Sequence, residues 1–177
     1  MTTIAHHSDY LCAAASRLGS ESAFEVLARA KAIEATGRRV VHMEIGEPDF
    51  DTPDHIKRAG IRAIEENYSH YTPSAGIPEL RDTIAAYASA FRGLPAPYVR
   101  ENVVVGAGAK PIIWNLLSAL LDPGDELLYA DPAYPAYASA ASYLEAKAIP
   151  VHLLESRNWR LDLDELAAKI TPKTKAV

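Results

Sequence analysis

The chain has 177 residues and is 49% hydrophobic, enough apolar material to fill the core of one ordinary domain and too much for a disordered segment. Its 18 basic and 23 acidic residues give a formal charge of −5 without a clustered basic stripe, which argues against a nucleic-acid or anionic-membrane surface. A single cysteine, Cys12, excludes an internal disulfide, and its apolar neighbours Leu11 and Ala13 suit an inert thiol in a reducing cytosol.

The N-terminal MTTIAHHSDYLCAAASRLGS lacks a basic leading region, and its apolar run Leu11 to Ala15 is too short for a signal peptide. No run approaches the ~20 apolar residues of a membrane span. Residues before Ser20 are expected to form an arm. SESAFEVLARAKAIEATG places Phe24, Leu27, Ala30 and Ile33 near helical spacing, with Gly37 positioned to end the helix. Val40 to Ile45 is expected to be a short strand. GEPDFDTP is a turn-rich loop, whose Thr52 and Pro53 suit the N-cap and first position of a helix running to about Glu66. The loop YSHYTPSAGI leads to a helix from Pro78 that stops at Gly93 and carries Leu80, Ile84, Tyr87 and Phe91 inward.

Strand-like stretches at Asn102 to Val105, Glu126 to Ala130 and Ala148 to Leu154 are separated by helices at Pro111 to Leu121 and about Tyr137 to Ala146. Alternation of this kind predicts an α/β fold with a mostly parallel sheet, flanking helices and right-handed crossovers. WRLDLDELAAKI predicts a last helix with an N-cap and a solvated acidic face. Lys175 to Val177 has the character of a beginning strand.

Within VVVGAGAKPIIWNLL a β-branched run meets a glycine-rich turn and continues as an apolar helix. Neither a dinucleotide fingerprint nor a P-loop fits, because both need glycine where Pro111 stands. The physics they share is still available: small residues allow close approach, and the N–H groups of a helix start face an anion with the helix dipole behind them. On this stretch alone, phosphate binding and a ligand-free strand-to-helix connection are both open. Asp122, Pro123, Gly124 and Asp125 suit a turn rather than a catalytic carboxylate pair. His6, His7, His42, His55, His70 and His152 show no i, i+4 pair, and no metal site is expected.

Taken with that turn, the motifs GEPDFDTPDHI, YSHYTPSAGIPELRDTI, LLDPGDELL and DPAYPAY, in this order, resemble the N-terminal half of the fold type I aminotransferases that use pyridoxal phosphate. The aspartate and aromatic aminotransferase group is the nearest match, and the resemblance covers about Ala23 to Val177. It implies an arm, a helix and a strand of a small domain over residues 1–45. Residues 46–177 would then be the N-terminal part of the cofactor-binding large domain. Gly108, Ala109 and Lys110 match the turn that cradles the cofactor's 5′-phosphate. Tyr134 matches an aromatic ring stacked on the pyridine face, with an ordinary core tyrosine as the alternative. Tyr71 matches a tyrosine whose hydroxyl reaches the phosphate of the neighbouring subunit of a homodimer; otherwise it is a loop tyrosine packed beside Pro73. Gly46 matches a main-chain contact near the substrate carboxylate; otherwise it merely terminates a strand.

The resemblance also implies a lysine that forms a Schiff base with the cofactor and an acidic partner for the pyridine nitrogen. Both would follow Val177, and no catalytic residue is identifiable among Lys31, Lys57, Lys110, Lys147, Lys169, Lys173 and Lys175. The expectation is a cytoplasmic aminotransferase acting on an amino acid and a 2-oxo acid, represented here by a stretch that is inactive alone. Two alternatives stand beside it: a non-catalytic half that works with a separate C-terminal-half chain, and a pyridoxal-phosphate lyase of the same fold.

Overall fold

The computed structural model describes residues 10–19, 22–93 and 96–177. His6, His7 and the rest of residues 1–9 of the expected arm lie outside the described residues. The chain divides into two compact units, one of the arm with Ala107–Val177 and the other of Ser22–Gly106.

In the Ser22–Gly106 unit, α1 spans Ser22–Glu34, α2 Asp54–Glu65 and α3 Pro78–Arg92. The chain leaves α1 through a turn that closes when the Gly37 amide donates to the Glu34 carbonyl. Proline at the first position starts α3, and Gly93, in the left-handed region at φ 57°, ends it, as the sequence predicts. Pro53 is the N-cap of α2 rather than its first helical residue, and no side chain caps that end. Arg81 of α3 donates from Nε to the Val103 carbonyl (2.9 Å) and from Nη2 to the Arg100 carbonyl (2.7 Å). Arg100 in turn forms a two-pronged ion pair with Asp82. These bonds satisfy carbonyls of a chain segment that has no sheet partner among the described residues.

In the other unit, α4 spans Ala109–Leu120, β1 Glu126–Asp131, α5 Ala136–Tyr143, β2 Lys147–Leu154, β3 Arg160–Leu161, α6 Leu163–Lys169 and β4 Thr174–Ala176. The strand order is β3-β2-β1-β4. β1 runs parallel to β2 in register from Glu126↔Lys147 to Asp131↔His152, and parallel to β4 on its other side. The fold is α/β with a mostly parallel sheet, as expected; the short antiparallel β3 was not. Asn158 and Trp159, both at positive φ, reverse the chain between β2 and β3.

Successive side chains of β1 point to opposite faces, and both faces are covered, which is the usual condition of a parallel sheet. Leu127 joins Leu117 and Leu121 at the end of α4, Ala140 and Ala141 of α5, and Ala146 in one buried cluster. Trp114 packs edge-to-face on Tyr143 at 4.9 Å beside it. On the opposite face Leu128 and Val151 are each 1% exposed. Glu126 is buried with its carboxylate accepting from the Thr171 hydroxyl at 2.5 Å, which ties β1 to the turn before β4.

Several expectations are corrected. Val40 to Ile45 and Asn102 to Val105 are not strands: among the described residues all four strands come from residues 126–176, so neither segment has a ladder partner. Val105 instead donates one amide bond to the Ala75 carbonyl at 2.9 Å. α4 starts two residues before Pro111, and α5 ends at Tyr143 rather than Ala146. On α3, Leu80, Ile84, Tyr87 and Phe91 are not enclosed; the buried residue of that helix is Ala85, and Tyr87 and Phe91 stack at 6.0 Å while 70% and 75% exposed. Helical period locates an apolar stripe but does not supply the surface that covers it.

Candidate cofactor-binding site

The glycine-rich turn ends in a helix start whose N-cap is Gly108, at φ 91°. Glycine adopts this conformation without strain, whereas a Cβ is disfavoured there. A Cβ built on Gly108 would meet no atom within 4 Å, so the space in front of the turn is open. Being glycine, the cap brings no side-chain acceptor to the first amides of α4, and no acidic residue lies in the first turn. Those amides carry the positive end of the helix dipole, which suits an anion of phosphate size. Pro111 is the third helical residue, and its missing N–H belongs to the first four, which no carbonyl of the helix reaches.

Tyr134 lies between the end of β1 and the start of α5, after a cis Asp131–Pro132 bond. It is 41% exposed rather than enclosed among these residues. Its ring meets Tyr137 edge-on at 6.2 Å, and the Lys110 ammonium stands 5.9 Å from its centroid. Gly108, Ala109 and Lys110 at the start of α4 and Tyr134 in the turn from β1 to α5 are thus brought together through the Lys110–Tyr134 contact.

Tyr71 and Gly46 belong to the Ser22–Gly106 unit. Tyr71 is fully exposed, so it is not packed down beside Pro73. Gly46 follows a segment that is no strand, so it terminates none, and a Cβ there would meet nothing within 4 Å.

Sequence reasoning missed the docking of the arm. A short 3-10 turn at Ala13–Arg17 sets Arg17 to donate to the Tyr143 carbonyl (3.3 Å from Nε, 3.1 Å from Nη2) and to pair with Glu145 at 3.0 Å. The Gly19 amide donates to Ser139 Oγ at 3.1 Å. Arm, α4 and α5 enclose a largely apolar groove of about 480 Å³, lined by Leu18, Lys110, Ile113, Trp114 and Ser139 among others. Partners more than a hundred residues apart leave no periodic signal in the sequence. Cys12, in the same arm, is exposed.

A second unforeseen cluster joins β2 to α6. Glu165 accepts from the His152 amide at 2.7 Å, faces His152 Nδ1 at 2.8 Å, and accepts from Lys169 Nζ at 2.6 Å. The Lys169 ammonium, then the His152 amide and ring, hold the Glu165 carboxyl at a pKa of about 2. Lys169 also donates to the Pro150 carbonyl at 2.6 Å, so the cluster is fully employed in fastening the helix. No group of three or more metal-ligating side chains occurs among the described residues, and no described helix is long and apolar enough to cross a membrane.

Known proteins resemble this chain in sequence and in fold. Residues 38–177 match the family model for aminotransferase class I and II. The chain is 43% identical to an aspartate aminotransferase of Pyrococcus horikoshii over 138 residues, which are 78% of this chain and 35% of that protein. It is 39% identical to a probable aspartate/prephenate aminotransferase of Rhizobium leguminosarum, over 94% of this chain and 41% of the other. Among solved structures, alanine aminotransferase from Pyrococcus furiosus superposes with a TM-score of 0.85 at 32% identity, covering 93% of this chain and 42% of that one. Thermus thermophilus aspartate aminotransferase with maleate gives 0.84, again at 32% identity and with the same coverage. The chain therefore spans about two fifths of the length of such relatives, and it belongs to the aminotransferase class I and II family.

Proposed function

We propose that this chain forms the phosphate-holding and ring-holding part of a pyridoxal 5′-phosphate site, in an enzyme that moves an amino group from an amino acid to a 2-oxo acid. The observation that carries the reading is the meeting of Lys110 and Tyr134 beside the open Gly108 cap. The amides after Gly108 would hold the phosphate, with the nearby Lys110 ammonium adding positive charge. The partly exposed Tyr134 ring would lie flat on the pyridine face and limit its tilt. Bound there, pyridoxal phosphate supplies an electron sink for bond breaking at the substrate α-carbon. Gly46 would let the substrate carboxylate approach the backbone, and Tyr71 would reach the phosphate held by a second subunit of a homodimer. On this reading residues 1–45 belong with a small domain and residues 46–177 with the large one, the enzyme is cytoplasmic, and the 177-residue stretch by itself does not transaminate.

The test uses the full protein that carries this sequence. Tyr134→Ala is expected to weaken retention of the cofactor, followed by its absorbance after dialysis, by roughly fivefold, the equivalent of about 1 kcal/mol of stacking. Gly108→Val places a β-branched residue at φ 91° in front of the phosphate and is expected to lose more. Unchanged retention in both variants overturns the assignment. With the 177-residue stretch alone, borohydride treatment in the presence of the cofactor is expected to label no single preferred lysine, and a coupled 2-oxo acid assay to show no turnover.

A further inference from the structure

We propose that His42 is a proton-dependent latch that fastens the segment leading to Gly46 onto the C-terminal end of α1. This segment has no strand neighbour among the described residues, and Val41 and Met43 are exposed, so neither a ladder nor a core holds it. What holds it is a chain of polar contacts through one imidazole. His42 Nε2 lies 3.1 Å from Glu34 Oε1 on α1, and His42 Nδ1 lies 2.6 Å from Glu44 Oε1. The other oxygen of Glu44 accepts from the Met43 amide at 2.9 Å, which ties the backbone of the segment to the same carboxylate.

The proton count decides the state. A neutral imidazole has one N–H and one lone pair, so it can donate to only one of two carboxylates and must turn its lone pair towards the other. With both carboxylates ionised, oxygens within hydrogen-bond distance of both nitrogens call for the imidazolium, which donates from each. Among the described residues Glu34, from α1, and Glu44, from the same segment as His42, are the charged groups that face the ring. Their hydrogen bonds, Glu44 first and Glu34 second, raise the His42 pKa above its ordinary value of 6.5. The bond from His42 and the backbone amides lower that of Glu44 from 4.5.

The signs follow from these two shifts. The contribution of His42 is fully present below pH 6.5 and is lost as pH rises through its raised folded value. The contribution of Glu44 is fully present above pH 4.5 and is lost as pH falls through its lowered folded value. The latch is complete between the two and opens on either side. When His42 deprotonates one arm must let go: without Glu34 the segment loses its tie to α1, and without Glu44 it loses the tie that also engages Met43. Gly46, to which the substrate carboxylate was assigned above, follows Glu44 by two residues, but the latch is a property of this chain and stands whether or not that assignment does.

The experiment is a pH titration of the full protein labelled with ¹³C at histidine and ¹⁵N at methionine, without substrate or cofactor, the His42 and Met43 signals being those lost in His42→Gln and Met43→Leu. The expected result is a His42 midpoint above 6.5, followed by the Met43 amide shift, and a midpoint that drops towards 6.5 in Glu34→Gln. A midpoint at or below 6.5 in the unmodified protein, or one that Glu34→Gln leaves in place, overturns the proposal. Should Glu34→Gln fail to fold, Glu34→Asp, which keeps the charge and shortens the reach, takes its place, and a midpoint that it leaves unchanged overturns the proposal. Since neither substrate nor cofactor is present in the titration, a failed latch and a failed cofactor assignment are separate results.

Discussion

The unit built on Ala107–Val177 and the unit built on Ser22–Gly106 carry similar apolar patterns and bury them very differently. In the first, α4, α5 and the parallel strands enclose Leu117, Leu127, Ala140 and Ala141 on one face of the sheet and Leu128 with Val151 on the other. In the second, α2 buries no residue, α3 buries Ala85, and Ile61, Ile64, Tyr87 and Phe91 stand in the open. Local order there rests on polar devices instead: the Arg81 donors, the Asp82–Arg100 pair and the His42 contacts. Amphipathic pattern is enough to make a helix, whereas enclosure needs a second surface in the right place. Only the βαβ unit supplies one from within these residues.

The strongest way to break this contrast is to hollow out the enclosed unit. Leu128→Ala leaves a cavity in the middle of β1 and is expected to cost ~2–5 kcal/mol in urea unfolding. A loss below ~1 kcal/mol would mean that the sheet is not the stable centre.

Gly76→Ala comes next and probes the open unit where it is tightest. Gly76 has φ +103°, and an added Cβ would stand 2.9 Å from both Cβ and Cγ2 of Val105. Strain and overlap together are expected to cost ~1–3 kcal/mol by the same measurement. Adding Val105→Ala should recover part of the loss, because it removes the overlap and leaves the backbone strain. If the two substitutions are simply additive, the contact between the 71–77 loop and the 103–105 segment is not tight.

Asp162 caps α6 by accepting from the amides of Asp164 and Glu165, both at 3.1 Å. Asp162→Ala is expected to cost about 1 kcal/mol. Glu165→Gln, one turn further on, keeps the size of the side chain and removes the charge. Because the Glu165 pKa is lowered to about 2, its contribution is fully present above pH 4.5 and is lost as pH falls towards 2. The Tm difference between the variant and the parent should therefore be largest near neutrality and close between pH 4.5 and 2. A constant gap would assign the cluster to packing rather than charge.

The alternation of β-branched runs with helical spacing made the parallel sheet, the turn at Gly106 to Lys110, the Gly93 stop and the Asp162 cap legible, since each depends on residues close together in the chain. The resemblance placed Tyr134 and Tyr71, whose exposure the sequence left open. Three things were illegible for one reason. Whether Val103 to Val105 ladders, whether Leu80 and Phe91 are covered, and where Arg17 docks all depend on a partner far away in sequence. A β-branched run without a neighbouring strand is only extended chain, and an apolar stripe without a lid is only surface.

The smallest expected effect sharpens the comparison most. Ile64 on α2 is 74% exposed, so truncation to alanine removes little buried area, and alanine is the better helix former by a few tenths of a kcal/mol. The two terms nearly cancel, and Ile64→Ala in the 177-residue chain is expected to change stability by less than ~0.5 kcal/mol in either direction. The same substitution in the full protein is a different experiment. If it again costs nothing, α2 presents its isoleucines to solvent wherever the chain occurs. A cost of ~2 kcal/mol or more there, absent in the 177-residue chain, would mean that residues beyond this stretch or a second subunit enclose the helix. A cost of that size in the 177-residue chain itself would break the comparison, since it would show that the open unit encloses Ile64 after all.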